Sequence, residues 1–233
     1  MKVGLLSYRS HPYSGGQGIY IKHLSKALKN LGHEVSVLSG PPYPELDSEV
    51  NLIKIPSLGL FESGERLKAF RLRFLWTPID LYEWITVMTG GFPEPYTYGK
   101  RVLKRLKENN LKLDVLLDNQ SLSSSLLEIQ EHYPLAVTIH HPITKDHKLE
   151  MQNAINWKER LSSSRWHNFL PMQKKVAPQL KNIICVSQPS KEDVISEFKV
   201  DEKKITVIPN GIDIGIFKPS SIKKSLSFRI VTT

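Results

Sequence analysis

Gly15-Gly16-Gln17-Gly18 follows a short apolar run, Val3-Gly4-Leu5-Leu6-Ser7, and leads straight into a stretch with helical spacing. Strand, glycine loop and helix in that order leave backbone N–H groups exposed at a helix N-terminus, where an anion or a sugar-phosphate oxygen can sit. In the helix, Tyr20, Leu24, Ala27, Leu28 and Leu31 fall on one apolar stripe, and Gly32 stops it as a C-terminal cap.

The alternation set by this first unit continues along the chain. Strands are predicted at about 2–7, 34–38, 51–55, 114–117, 135–139, 183–186 and 205–208. Helices are predicted near 97–109, 122–132 and 189–198, with one or two more filling 145–180. Strands alternating with helices point to an α/β fold, a Rossmann-like doubly wound and mainly parallel sheet covered on both faces. Residues 57–95, rich in aromatics and bounded by Gly90-Gly91-Phe92-Pro93, read as an irregular insertion. Ser220 to Ser227 is short, polar and basic and reads as a linker, with Arg229-Ile230-Val231-Thr232-Thr233 starting a further strand. The expected division is therefore 1–219 as one large domain and 220–233 as a linker into a second.

Composition narrows the class. With 233 residues, 40% apolar and 24% charged, the chain suits one large soluble globular domain. Its single cysteine, Cys185, lies in the apolar run Ile183-Ile184-Cys185-Val186, as a buried structural thiol would in a reducing compartment. Met1-Lys2 opens directly into a strand without a secretory n-region, and no uncharged run approaches the roughly 18 residues that span a bilayer. The expected place is the cytoplasm, with peripheral attachment to the inner face of a membrane left open.

The net charge of +9 suits nucleic acid, anionic lipid or phosphorylated small molecules. Arg66, Lys68, Arg71 and Arg73 are interleaved with Leu67, Phe70, Leu72, Phe74, Leu75 and Trp76. A second basic cluster, Lys100, Arg101, Lys104, Arg105 and Lys107, falls on a predicted helix. Basic charge among bulky apolar groups fits an anionic membrane surface better than a duplex, and no nucleic-acid module accompanies it. A solvated basic face over an ordinary core helix is the alternative.

The glycine loop is not a dinucleotide fingerprint. Ile21 stands where the third glycine belongs, and the second strand ends in Ser39-Gly40 without a carboxylate for a ribose. Nor does a Lys-Ser/Thr pair make it a P-loop. What remains is a turn whose backbone can approach a ligand closely, or a purely structural turn.

Other candidates end strands on the same rim. His140 and His141 follow Val137-Thr138-Ile139; adjacent residues on an extended chain point opposite ways, so one faces the site and the other packs or is solvated. No Cys/His cluster supplies further ligands, so no metal is expected. Asp118-Asn119-Gln120 follows Val115-Leu116-Leu117 and can bind hydroxyls or cap the next helix. Ser187 and Gln188 precede Pro189 as helix-capping residues, with Lys191 one turn on. Pro209-Asn210-Gly211-Ile212-Asp213, followed by Phe217-Lys218-Pro219, makes a tight turn tolerant of positive φ.

Together, the glycine loop and this last string resemble the N-terminal domain of glycosyltransferase family 4, retaining enzymes with two Rossmann-like domains (the GT-B fold). The likeness covers about residues 1–45 and 110–219, and 57–95 only loosely. The resemblance implies a hexosyltransferase using a nucleotide-sugar, without metal or other cofactor. The acceptor is a hydroxyl, lipid-linked or not, in glycolipid, polysaccharide or cell-envelope glycan synthesis. It implies His140 at the transferred sugar or its phosphate, the catalytic position. Gly15, Gly16, Gln17 and Gly18 would lie near acceptor and donor phosphates, Lys191 beside Ser187 would reach the donor, and Asn210 and Gly211 would form the exit from the first domain; from their own places at strand ends, Asp118, Asn119 and His141 are further candidates for donor or acceptor binding. The donor clamp would belong to a C-terminal domain, supplied in cis or trans, without which the chain would be inactive. A non-catalytic, membrane-peripheral binding module of the same descent is the alternative, and nucleic acid is not an expected partner.

Overall fold

The structure, a computed structural model, describes residues 1–61, 71–109, 111–215 and 217–219, apart from the side chains at 73 and 109. Among these residues seven strands form one sheet: β1 (Lys2–Ser7), β2 (Glu34–Ser39), β3 (Asn51–Lys54), β4 (Val115–Asn119), β5 (Leu135–Ile139), β6 (Ile183–Cys185) and β7 (Ile205–Val207). Every pairing is parallel, in the order β3-β2-β1-β4-β5-β6-β7. The order reverses between β1 and β4. Loops leaving the C-terminal ends of those two strands diverge and open a crevice, the usual ligand position in sheets of this kind.

Around the sheet stand α1 (Gly16–Asn30), α2 (Pro78–Met88), α3 (Glu94–Asn109), α4 (Ser125–His132), α5 (Thr144–Asn153), α6 (Trp157–Trp166), α7 (Leu170–Val176) and α8 (Gln188–Phe198). The larger core lies on one face, where Leu6, Leu38, Leu116, Val137, Ile139, Cys185 and Ile205 meet side chains of α3, α4, α7 and α8. A smaller core on the other face gathers Val3, Leu5, Val35 and Val37 under Ile21, with Leu24 and Leu28 of α1 beside it.

By the described residues, that second face is only partly covered. Among the described residues α1 is the one helix on it, packed over β1 and β2, while Leu117, Ala136 and Ile184 stay half-exposed on β4, β5 and β6 and Thr206 is exposed on β7. The bare surface is the floor of an open groove of about 650 Å³, lined by Ile19, Tyr20 and Leu24 of α1 and by Ile208 to Ile214. A parallel sheet is normally buried on both faces, so the expected two-sided cover is met over only part of this one.

Other differences have local causes. Within 57–95, the described residues from 71 on are regular: a 3-10 turn at Leu72–Trp76 runs into α2, which has proline in its first turn. The next helix starts at Glu94 rather than 97, and 145–180 holds three short helices. The helix expected from 122 starts at Ser125, because Gln120 (φ +56°) and Leu122 (φ +49°) take left-handed conformations that interrupt it. Asn210 and Gly211 do not adopt positive φ, so their turn is built without the conformation Asn-Gly permits. Phe74 is buried, Trp76 is 88% exposed, and Arg66, Lys68 and Phe70 lie outside the described residues, as does the linker. The basic helix α3 is largely neutralised: Arg101 pairs with Glu83 and Asp80, Lys107 with Glu128 and Lys104 with Glu108.

Candidate functional site

The loop after β1 is shaped by close backbone packing. At Gly18 a Cβ would lie 2.1 Å from the His11 carbonyl oxygen, so only glycine lets α1 start against this loop. His11 Nδ1 accepts from the Tyr13 and Ser14 amides, which folds the loop back toward the helix. Gly15 (φ +75°) is the N-cap of α1; it offers no side-chain cap, and no acidic residue stands in the first turn. The amides of that turn therefore keep their capacity for an outside acceptor. Gln17 Nε2 donates to the buried Tyr8 hydroxyl at 3.2 Å, and burial pushes that phenol up to about 12.

Across the crevice, β4 and β5 end in a second polar group. His140 is half-buried, its ring edge-on to Tyr20 of α1 at 4.8 Å. Its Nε2 lies 2.8 Å from Asn119 Oδ1, and its amide donates to Gln120 Oε1 at 2.7 Å. Gln120 Nε2 donates to the His141 carbonyl at 2.9 Å, and the Ser190 hydroxyl donates to the His140 carbonyl at 2.7 Å. Burial, then the neighbouring His141, lowers the His140 pKa below the usual histidine range, so the ring is neutral at pH 7. The Asn119 amide nitrogen is buried and without a partner among the described residues.

Some of the candidate residues gather at two stations, and the others are engaged elsewhere. Gly15 to Gly18, Asn119 and His140 converge on the crevice at the strand-order reversal. Asp118 lies beneath it, fully buried: its carboxylate accepts from the Ser121 amide (2.8 Å) and hydroxyl (2.6 Å), and burial raises its pKa to about 6. It caps the 118–122 turn rather than a helix. His141 is exposed and meets Asp146 at 3.1 Å. Ser187 caps α8 by accepting from the Ser190 amide, and Lys191 pairs with Glu202 at 2.8 Å. Asn210 and Gly211 line the open groove beside α1, as Gly16 does. Among the described residues no three His, Cys, Asp or Glu are placed to hold a metal ion, and no helix is long and apolar enough to cross a membrane.

Sequence reasoning placed Tyr20 only in an apolar stripe and passed over Ser190. Neither carries a local signal, because each reaches His140 from another element. On the rim beside Tyr8, Phe92 stacks on Trp166 at 5.1 Å and meets Phe61 at 5.4 Å, with Phe169 at 5.7 Å.

The parallel sheet, with the glycine loop and His140 at its reversal point, agrees with the Rossmann-like domain expected from the resemblance. Residues 14–215 match the family model of Glycosyltransferase Family 4, and the chain belongs to that family. It is 43% identical over 221 residues to the MMP alpha-(1->4)-mannosyltransferase of Mycolicibacterium hassiacum, covering 94% of this chain and 54% of that one. Its identity with a phosphatidylinositol N-acetylglucosaminyltransferase subunit from Arabidopsis thaliana is 26% over 229 residues, covering 97% and 43%. The solved structure of Anabaena HepE in complex with UDP shares the fold at 15% identity and a TM-score of 0.53, covering 95% of this chain and 47% of its own. The chain thus spans about half the length of the curated relatives it matches.

Proposed function

We propose that this chain is the acceptor-side domain of a retaining glycosyltransferase that moves a sugar from a nucleotide-sugar to a hydroxyl acceptor in polysaccharide or cell-envelope glycan synthesis. Family membership supports glycosyl transfer, and the 43% identical mannosyltransferase makes mannose the first sugar to try. One observation carries the placement: Tyr20 ties His140 to the helix whose uncapped N-terminus ends the glycine loop. A sugar-phosphate in the crevice would meet backbone amides on one side and imidazole on the other. The amides stabilise phosphate charge, and the neutral ring orients the sugar by hydrogen bonding. No base is assigned: in a retaining transfer the leaving phosphate can take the acceptor's proton. The donor clamp belongs to the part of the relatives that this chain does not span.

The test is transfer from a nucleoside-diphosphate mannose by the protein extended to the relatives' length, with the product's anomeric configuration read by NMR. An α product is expected, with His140→Ala lowering turnover roughly tenfold, the worth of one hydrogen bond. Residues 1–233 alone are expected to give no turnover above a denatured control. Transfer by residues 1–233 alone, or a rate indifferent to His140, overturns the reading.

A lipid-linked acceptor at an anionic membrane is a second reading, favoured by the exposed Leu72, Leu75 and Trp76 beside Arg71.

A further inference from the structure

We propose that Gln120 and Asn119 are positioning residues for His140: the Gln120 side-chain amide stands in for the missing end of the β4–β5 ladder, and Asn119 Oδ1 fixes the imidazole proton on Nε2. This rests on the glycosyl-transfer reading only for its effect on turnover. The backbone pairing of β4 with β5 ends at Asn119↔Thr138. At the next residue Gln120 turns left-handed (φ +56°), and its backbone leaves the sheet. A non-glycine residue pays for that conformation, and here a second one, Leu122, follows two residues later.

The side chain recovers what the backbone gives up. Gln120 Oε1 accepts from the His140 amide (2.7 Å), and Gln120 Nε2 donates to the His141 carbonyl (2.9 Å). The first is the bond a continuing β4 would have supplied to the His140 amide, and the second reaches past it to the next carbonyl. Ser190 holds the intervening His140 carbonyl at 2.7 Å. The His140 backbone is thus fixed from β4's exit and from α8, while Tyr20 of α1 meets the ring at 4.8 Å.

With the backbone fixed, the ring nitrogens have one hydrogen-bond partner among the described residues, Asn119 Oδ1 at 2.8 Å from Nε2. A carbonyl oxygen only accepts, so Nε2 carries the hydrogen and Nδ1 presents a lone pair. His140 then accepts a hydrogen bond from a sugar hydroxyl at Nδ1 instead of donating one to a phosphate. In this orientation the Asn119 amide nitrogen is buried without a partner among the described residues.

Long-range ¹H–¹⁵N spectra of the labelled chain report the protonated nitrogen of His140, its signal assigned by loss in His140→Gln. Nε2–H is expected in the parent. Gln120→Gly removes the clamp, and relief of the positive φ offsets part of the loss of two hydrogen bonds, so it is expected to stay folded and yet show a mixture of tautomers. Asn119→Leu is expected to do the same, whereas Asn119→Asp keeps the oxygen and restores Nε2–H. In the extended enzyme Gln120→Gly is expected to lower kcat at least tenfold with the donor KM within about twofold. Nδ1–H in the parent, or an unchanged tautomer in folded Gln120→Gly, overturns the proposal. Tautomers that shift as described in a protein that transfers no sugar support the clamp and overturn only the proposed activity.

Discussion

The Arg101 guanidinium lies 2.5 Å from Glu83 Oε2 and 2.6 Å from Asp80 Oδ1, joining α3 to α2. Glu83 is 2% exposed, and its other oxygen accepts from the Leu58 amide at 2.9 Å. One buried carboxylate therefore ties α2 to the chain entering the 57–95 stretch, and one arginine neutralises it. Removing the arginine leaves a buried charge uncompensated, so Arg101→Met is expected to cost about 3–5 kcal/mol. Adding Glu83→Gln should recover part of that, because the charge goes while the acceptor for Leu58 stays. Urea unfolding measures both; a single-variant loss under about 1 kcal/mol would show the pair to be a surface ion pair in effect.

Gly18→Ala and Gly16→Ala form an internal contrast. At Gly18 the methyl would meet backbone at 2.1 Å, whereas nothing lies within 4 Å of the Cβ position at Gly16. The first substitution is expected to destabilise by about 1–3 kcal/mol through forced backbone movement. The second is expected to be near neutral or mildly stabilising in a helix. Thermal unfolding of the two variants side by side decides the point, and equal midpoints would remove the close approach as the reason for glycine.

Asp118 makes stability depend on pH. Its folded pKa of about 6 stands above the ordinary 3.8, chiefly through burial. The folded state therefore holds this proton more tightly than the unfolded state. That contribution is complete below about pH 4, is lost as pH rises to about 6, and stays constant beyond. Relative to Asp118→Asn, the parent should lose on the order of 2 kcal/mol between about pH 4 and 7. A difference that stays flat with pH would show that Asp118 stays ionised at an ordinary carboxylate pKa.

Vesicle co-sedimentation tests the lipid reading. Leu72, Leu75 and Trp76 are 75%, 57% and 88% exposed around the 3-10 turn. Each basic residue near an anionic surface is worth roughly 1 kcal/mol, so binding should need anionic lipid and fall with salt. Trp76→Ser and Arg71→Glu should each weaken it. Equal pelleting with neutral vesicles, or none with either kind, points to a soluble glycan as acceptor.

The fold was legible because its signals are local. The stripe from Tyr20 to Leu31, with Gly32 behind it, defines α1 from sequence alone, and the strand cores Leu5-Leu6 and Val137-Thr138-Ile139 are short apolar runs. The site was legible only as far as strand ends reveal it, which is how His140 and Asn119 were found. Gln120 was seen only as one of a polar trio, since a left-handed glutamine has no sequence mark. Ser190 holds His140 across 50 residues of chain, and Lys191 turns to Glu202 on a later 3-10 turn. Such pairings are decided by packing between elements, which no window of sequence contains.

The strand order bears on acceptor choice as well. β1 and β4 are neighbours at the crevice, yet β2, β3, α2 and α3 all come between them in the chain. The excursion leaves from the far edge, after β3, and returns through α3 beneath the sheet. The described part of that excursion is tied to the fold at Leu58, Glu83 and Phe92, apart from the two loops that carry Gly18 and His140. Under the proposed function, a change of acceptor would fall on that stretch and leave the loops of Gly18 and His140 as they are.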